Sequence, residues 1–316
     1  MFFLFKIFKK LENLFFEEPK DYLLQTRFGK ILKKIPGLKN FYRAEHNFSN
    51  WLYCKLKPKG VTLINVQGNK MYINTDERGD LVSTLLIDGV WEKYETELFK
   101  KMVKEGMVVV DIGAHIGYYT LIATRLVGKT GIVYAFEPEP SNYELLCKNI
   151  EANGYTNVVP IRKAVSNKNG KTKLWLCEID SINHSLIQDN VFRKSDFTEV
   201  ELITLDDFFE NTIRNNKVDL IKMDTGGTEG VIMEGAEKVL KNNNVKVLLE
   251  FWPFGLKNAR TDPLELLHNL QKFGFKLKHA REISNQRNKP LKSSVDIKEF
   301  CKELKENQIF NLLLEK

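Results

Sequence analysis

The chain has 316 residues, 43% hydrophobic and 28% charged, with 19 Gly and 9 Pro; this excludes collagen-like, low-complexity and mostly disordered chains. Net charge is +7, but residues 1–60 hold 13 Lys/Arg against 5 Asp/Glu and the remainder balances to within one charge, so attraction to phosphate or anionic lipid is local to that segment. Four scattered cysteines without a Cys-x-x-Cys pair indicate a reducing compartment, and no apolar run approaches the roughly 20 residues that cross a bilayer.

Residues 1–16 set Leu4, Ile7, Phe8, Leu11, Leu14 and Phe15 at helical spacing with lysines between them. Such a helix lies in a membrane interface or packs on a protein surface, and both readings stand at this point. Residues 1–60 therefore read as a basic, aromatic-rich helical N-terminal region, and residues 61–316 as the main domain. The expected location is cytoplasmic, with residues 1–16 as a peripheral membrane contact.

From Val61 come two β-like pieces, VTLINV and KMYINT, then a helix from about Trp91 to Lys104. Strands and helices then alternate: MVVVDIG, YYTLIATRLV, GIVYAFEP, SNYELLCKNIEANG, NVVPIRKAV. An antiparallel insert follows, with TKLWLC and EVELITL. The strand VDLIKMD, the helix EGVIMEGAEKVLKN, the strand VKVLLEFW, the helix PLELLHNLQKFG and two closing strands complete the chain. Alternation of this kind predicts an α/β fold, a doubly wound and mostly parallel sheet with ligands at the carboxyl ends of its strands. Those ends are Asp111, Glu137, Ala164, Asp224 and Glu250.

The turn Asp111-Ile112-Gly113-Ala114-His115-Ile116-Gly117 joins the first core strand to its helix. A dinucleotide turn wants glycine where His115 stands, to admit a pyrophosphate. A smaller zwitterion fits better, its ammonium on Asp111 and its carboxylate on backbone amides. Glu137 ends the next strand, where one carboxylate can accept from both hydroxyls of a ribose. Together the two describe S-adenosylmethionine. Strand parity sets Leu220, Lys222 and Asp224 on one side, so Lys222 and Asp224 are expected to pair.

The runs VVVDIGAHIGYYT, VYAFEPEPSNYELLCKNIEANG, KAVSNKNG, VELITLDDFF, VDLIKMDTGGTEGVIMEGAEKVL and NLLLEK resemble the FkbM-type family of S-adenosylmethionine-dependent methyltransferases, over about residues 70–316. The resemblance implies a Rossmann-like class I fold of seven strands, the last antiparallel, and methylation of a hydroxyl on a glycan, lipid-linked or polyketide-type acceptor. It implies Asp111, Gly113, Gly117 and Glu137 at cofactor positions, with His115 in the same turn and Ala164 to Ser166 flanking the adenine. The cofactor half would span about 105–166 and the acceptor half about 167–316. Two positions depart from the family pattern. His115 replaces an asparagine, and Asp224-Thr225-Gly226-Gly227-Thr228-Glu229 replaces Asp-Val-Glu-Gly-Ala-Glu, losing the middle acid to Gly226.

A hydroxyl becomes a useful nucleophile when a base begins to take its proton. Asp224 is expected as the base or acceptor-orienting group, with Glu229 assisting, Lys222 setting the local field and Glu250 at the next strand tip; a plain ion pair for Lys222 and Asp224, and a first-turn acid favoured by the helix dipole for Glu229, stand beside that. No resident metal is expected, although Glu250, Asp224 and Glu229 are a donor set that a hard cation would accept if they converged. His46, His184, His268 and His279 read as ordinary packing or surface histidines, and the segment around Ser181 as a loop able to cover the site or equally as a plain connector. Two rivals remain: an RNA methyltransferase using the basic segment, disfavoured because the main domain is near neutral, and a cofactor-binding module weakened by Gly226.

Overall fold

The computed structural model describes residues 57–77, 79–213, 217–242, 244–283 and 297–316. The amphipathic helix expected over residues 1–16 and the basic stretch that follows lie outside the described residues.

β1 (Val61–Val66) and β2 (Asn69–Asn74) form an antiparallel hairpin. Gln67 and Gly68 both have positive φ, 51° and 80°, the two-residue turn whose twist matches its strands. α1 (Asp80–Ile87) and α2 (Lys93–Met102) follow, then β3 (Val108–Ile112), α3 (Tyr118–Val127), β4 (Ile132–Phe136), α4 (Pro140–Ala152) and β5 (Val158–Ile161). α4 starts on Pro140, whose missing N–H is no loss at a first helical position, while the Glu139 side chain accepts from the Asn142 amide.

The run NVVPIRKAV is two strands rather than one. It breaks at Arg162-Lys163, and β6 (Ala164–Val165) leaves the main sheet to pair in parallel with β8 (Lys194–Ile203), which is antiparallel to β7 (Gly170–Cys177). A helical turn Leu205–Asp207 widens into a π-type turn Phe208–Ile213 before β9 (Leu220–Met223). The next expected helix is likewise two, α5 (Glu229–Glu234) and α6 (Glu237–Asn242). The break falls at Gly235, where a Cβ would lie 2.0 Å from the Ser166 carbonyl oxygen. β10 (Lys246–Phe251), α7 (Pro253–Asn258), α8 (Pro263–Lys272), β11 (Lys276–Glu282), α9 (Ile297–Glu303) and β12 (Phe310–Glu315) complete the fold.

The main sheet has seven strands in the order β11-β12-β10-β9-β3-β4-β5. All run parallel except β12, which is antiparallel to both β10 and β11. This is the doubly wound class I arrangement expected from the sequence. Strand parity divides the core. Val110, Ile112, Ile221, Met223, Val247 and Leu249 pack on one face beneath α5, α6 and α8. Val109, Leu220 and Leu248 pack on the other, with the hairpin, α1, α2 and α3. Asp111, Lys222 and Glu250 share the parity of this second set, so three charged side chains fall on one sheet face at the carboxyl ends of β3, β9 and β10. Asp111 stands directly opposite Lys222 in the strand register.

Candidate active site

A cavity of about 400 Å³ opens at those strand ends, within the range usual for cofactor and small-molecule sites, about 300–1,000 Å³. Asp111, Gly113, His115, Glu137 and Ala164 line it together with Lys222, Asp224 and Glu250. Its wall carries five carboxylates, of Glu92, Asp111, Glu137, Asp224 and Glu250, against the two lysines Lys163 and Lys222.

Gly113 has φ +79°, and a Cβ there would lie 2.0 Å from the Asp224 carbonyl oxygen. Only glycine lets the β3 turn come this close to the end of β9. The next turn residues are fixed by Glu137, whose Oε2 accepts from the His115 amide (2.8 Å) and whose Oε1 accepts from the Glu139 amide (2.9 Å). Burial pushes the Glu137 carboxyl up to about 7, with the two amides opposing that rise. Asp111 accepts from the Thr120 hydroxyl at Oδ2 (2.6 Å), while its buried Oδ1 has no partner among the described residues. Burial raises its carboxyl, and the Lys222 cation opposes.

Lys222 is buried and donates to Asp224 Oδ2 at 3.1 Å, the pairing expected from parity. Its ammonium also lies 4.6 Å from the centre of the Tyr119 ring. Burial alone would lower the lysine, but Asp224, Asp111 and Glu92 outweigh it and raise it. Glu250 is pushed well above the carboxylate range by burial and then by Asp224, Glu229 and Glu92.

Three expected site residues do not line the cavity. Gly117 opens α3 at φ +95°, and its missing Cβ leaves room for Leu146, to which a Cβ would come within 2.7 Å. Ser166 is buried behind the wall, where its amide donates to the Ile203 carbonyl. Glu229 is 1% exposed and holds the loop after β9, its Oε1 accepting from the Thr225 amide (3.0 Å), the Thr225 hydroxyl (2.8 Å) and the Gly227 amide (3.3 Å). Among the described residues no three His, Cys, Asp or Glu side chains converge as a metal site.

His184 lies on the cavity wall, its Nδ1 accepting from the Cys177 amide at 2.9 Å. The insert loop does cover the site. Ser181 donates to Glu77 Oε2 (2.8 Å), so its oxygen accepts from Nε2 of His115 (2.6 Å), an imidazole that burial pushes down to about 3. Asn190 donates to the Gly226 carbonyl at 2.8 Å, joining the same loop to the turn after β9. The sequence reading missed Glu92 altogether. Nothing in the spacing of α2 separates it from the solvent-facing Glu97, and only tertiary packing brings it to the wall.

Residues 111–277 match the methyltransferase FkbM domain, more than half of the chain. The chain belongs to the FkbM methyltransferase family, whose members depend on S-adenosylmethionine. Among curated proteins, this FkbM chain is similar to the tRNA(Phe) (4-demethylwyosine(37)-C(7)) aminocarboxypropyltransferase of Methanocaldococcus jannaschii, 40% identical over 75 residues, which are 23% of this chain and 30% of that protein. It is also similar to protein-L-isoaspartate O-methyltransferase 1 of Archaeoglobus fulgidus, 39% identical over 59 residues, 19% of this chain and 27% of that protein. The chain thus spans less than a third of the length of these curated relatives. Among solved structures, it resembles Trm5b from Pyrococcus abyssi with a TM-score of 0.43 and 16% identity, over 82% of this chain and 56% of that one. TYW2 from M. jannaschii in complex with AdoMet gives 0.38 and 17%, over 82% and 88%. Among the described residues no helix is long and apolar enough to cross a membrane.

Proposed function

We propose that this FkbM-domain protein transfers a methyl group from S-adenosylmethionine to a hydroxyl of a glycan, lipid-linked or polyketide-type acceptor. The observation that carries the reading is one cavity lined by Asp111 and Glu137 together with Lys222, Asp224 and Glu250.

The residues present fit the cofactor. S-adenosylmethionine carries a sulfonium and an ammonium against one carboxylate, and the wall has more carboxylates than lysines. Asp111, with its unpartnered buried Oδ1, suits the ammonium; Gly113 and His115 offer the turn to the amino acid end. Glu137 retains accepting capacity beyond its two amides, which suits a ribose diol. Ala164, beside Val165, offers adenine an apolar wall with Ser166 buried behind it, while Gly117 seats α3 against Leu146. The cofactor half therefore spans about 105–166 and the acceptor half about 167–316.

When bound, the cofactor supplies an electrophilic methyl group on sulfur. The chain holds the acceptor oxygen against it, which is most of what such a displacement requires. Asp224, fixed by Lys222, orients the acceptor hydroxyl. Glu229 keeps the loop of Asp224 in shape, and Glu250, held toward its protonated form, donates to acceptor oxygen.

A nucleic-acid acceptor is the second reading. It is favoured by the tRNA-directed name of the M. jannaschii relative and opposed by the acidic wall, which repels phosphates. Turnover of labelled S-adenosylmethionine across methyl glycosides, lipid-linked sugars and tRNA separates the two readings. Calorimetry giving no heat with the cofactor or with S-adenosylhomocysteine, on a folded sample, would remove both. A membrane role for residues 1–16 is tested apart: equal sedimentation with anionic vesicles by the full chain and by a chain starting at Val61 would end it.

A further inference from the structure

Glu92 stands at the start of α2, ahead of the first strand of the main sheet, with φ 41° and ψ 64°. A residue other than glycine occupies this left-handed region only where its surroundings over-determine it. Here they do. The Trp91 amide donates to the Tyr118 hydroxyl at 3.1 Å. One turn on, the buried Glu95 carboxylate accepts from Arg281 of β11 at both oxygens, 2.8 and 2.7 Å. The Glu92 side chain is thereby held on the cavity wall, where Tyr119 of α3 donates to its Oε2 at 3.1 Å. The charged groups around it are Lys222 of β9, Asp224 just after that strand, Glu250 of β10 and Glu95 of its own helix.

We propose that Glu92 is the general base of the methyl transfer, taking the acceptor proton while Asp224 orients the acceptor. The assignment rests on the O-methyltransferase reading. The acceptor O–H bond breaks with its proton passing to the Glu92 carboxylate; the oxygen pair forms the new O–C bond as the C–S bond returns its pair to sulfur. Asp224 is the poorer candidate because its Oδ2 is already engaged by the Lys222 ammonium. Both carboxylates line the wall, but the partner of Glu92 is a neutral hydroxyl at one oxygen and not a cation. Its carboxyl is pushed up to about 7, by burial first, then by the Asp224 and Glu95 carboxylates, with Lys222 and Tyr119 opposing. A base is most useful when its pKa lies near the operating pH.

The test measures methylation of methyl glycosides with labelled S-adenosylmethionine from about pH 5.5 to 9, and S-adenosylhomocysteine affinity by calorimetry. Glu92→Gln is expected to lower kcat by roughly 10²–10³-fold and to abolish the rise in rate near pH 7, with affinity for the product nucleoside within about threefold. Glu92→Asp, which retains a carboxylate, should recover part of the rate. Tyr119→Phe should move the rise to higher pH, because its hydroxyl favours the ionised form. Asp224→Asn should raise KM more than it lowers kcat. Turnover in Glu92→Gln within about threefold of the parent, with the pH limb in place, overturns the assignment alone. Parallel loss of nucleoside affinity also overturns it, by making Glu92 a support of the cofactor site. Absence of turnover by the parent protein on every hydroxyl acceptor sinks the O-methyl reading and the base with it.

Discussion

Lys222 is the residue on which the most charges depend. It faces Asp111 in register, pairs with Asp224, and opposes the rise of both Glu92 and Glu250. Lys222→Met would leave the buried Glu92, Asp111 and Glu250 without their cation, and they can avoid the penalty only by holding protons. The loss should therefore be small near pH 5 and reach about 3–5 kcal/mol near pH 8, read from urea unfolding at the two pH values. Gly226 is a different case. Its φ of +63° is a conformation that L side chains rarely adopt, yet a Cβ there meets nothing nearer than 3.9 Å. Gly226→Glu, which restores the acid of the family pattern, should cost about 1–2 kcal/mol through backbone conformation and like charge rather than through a clash. The same urea titration checks this, and a loss above about 4 kcal/mol would mean that the loop cannot hold the residue.

At the scale of elements, two breaks in expected segments build the site. β6 leaves the main sheet to pair with β8, turning Ala164 and Val165 to the cavity wall. The helix after β9 breaks at Gly235, where the Ser166 carbonyl occupies the space of a Cβ. Gly235→Ala keeps an ordinary φ, so its penalty comes from displaced backbone. About 2–4 kcal/mol of stability should be lost, and affinity for S-adenosylhomocysteine should fall with it as β6 shifts. Retention of both stability and affinity would mean that the Ser166 segment gives way to a methyl group at no cost. Neither break was legible in the sequence: IRKAV has the β-branched content of one strand, and EGVIMEGAEKVLKN keeps its apolar period across the glycine.

For the whole molecule, several carboxyls are held above their ordinary range by a common burial. Glu92 and Glu137 rise from 4.5 to about 7 in the folded protein. Between those values the native state binds more protons than the unfolded chain, so stability falls as pH rises from about 4.5 to 7. The part present at low pH amounts to about 3 kcal/mol for the buried Glu137. A cationic ligand should reverse the trend, because ionised carboxylates then find a partner. Thermal unfolding at about pH 5.5 and 8 should show S-adenosylmethionine stabilising more at the higher pH, with uncharged-sulfur S-adenosylhomocysteine gaining less. Equal gains by the two ligands at both pH values would argue against an electrostatic role for the acidic wall.

Sequence periodicity by itself determined the order of strands and helices, and with it the end of the sheet that carries the cavity, because alternating buried strands and amphipathic helices have few ways to close. It also determined that Lys222 and Asp224 pair, since a two-residue repeat puts them on one side of a strand. The tertiary structure alone decided which neighbouring charges share the cavity. Glu92 reaches Tyr119 and the Lys222 cluster because the start of α2 is fixed by Tyr118 of α3 and by Arg281 from a strand more than 180 residues away. Glu229 and Gly117 turned inward to support the loop and the helix, since a carboxylate or a glycine reads the same in sequence whether it meets a ligand, a backbone amide or a leucine.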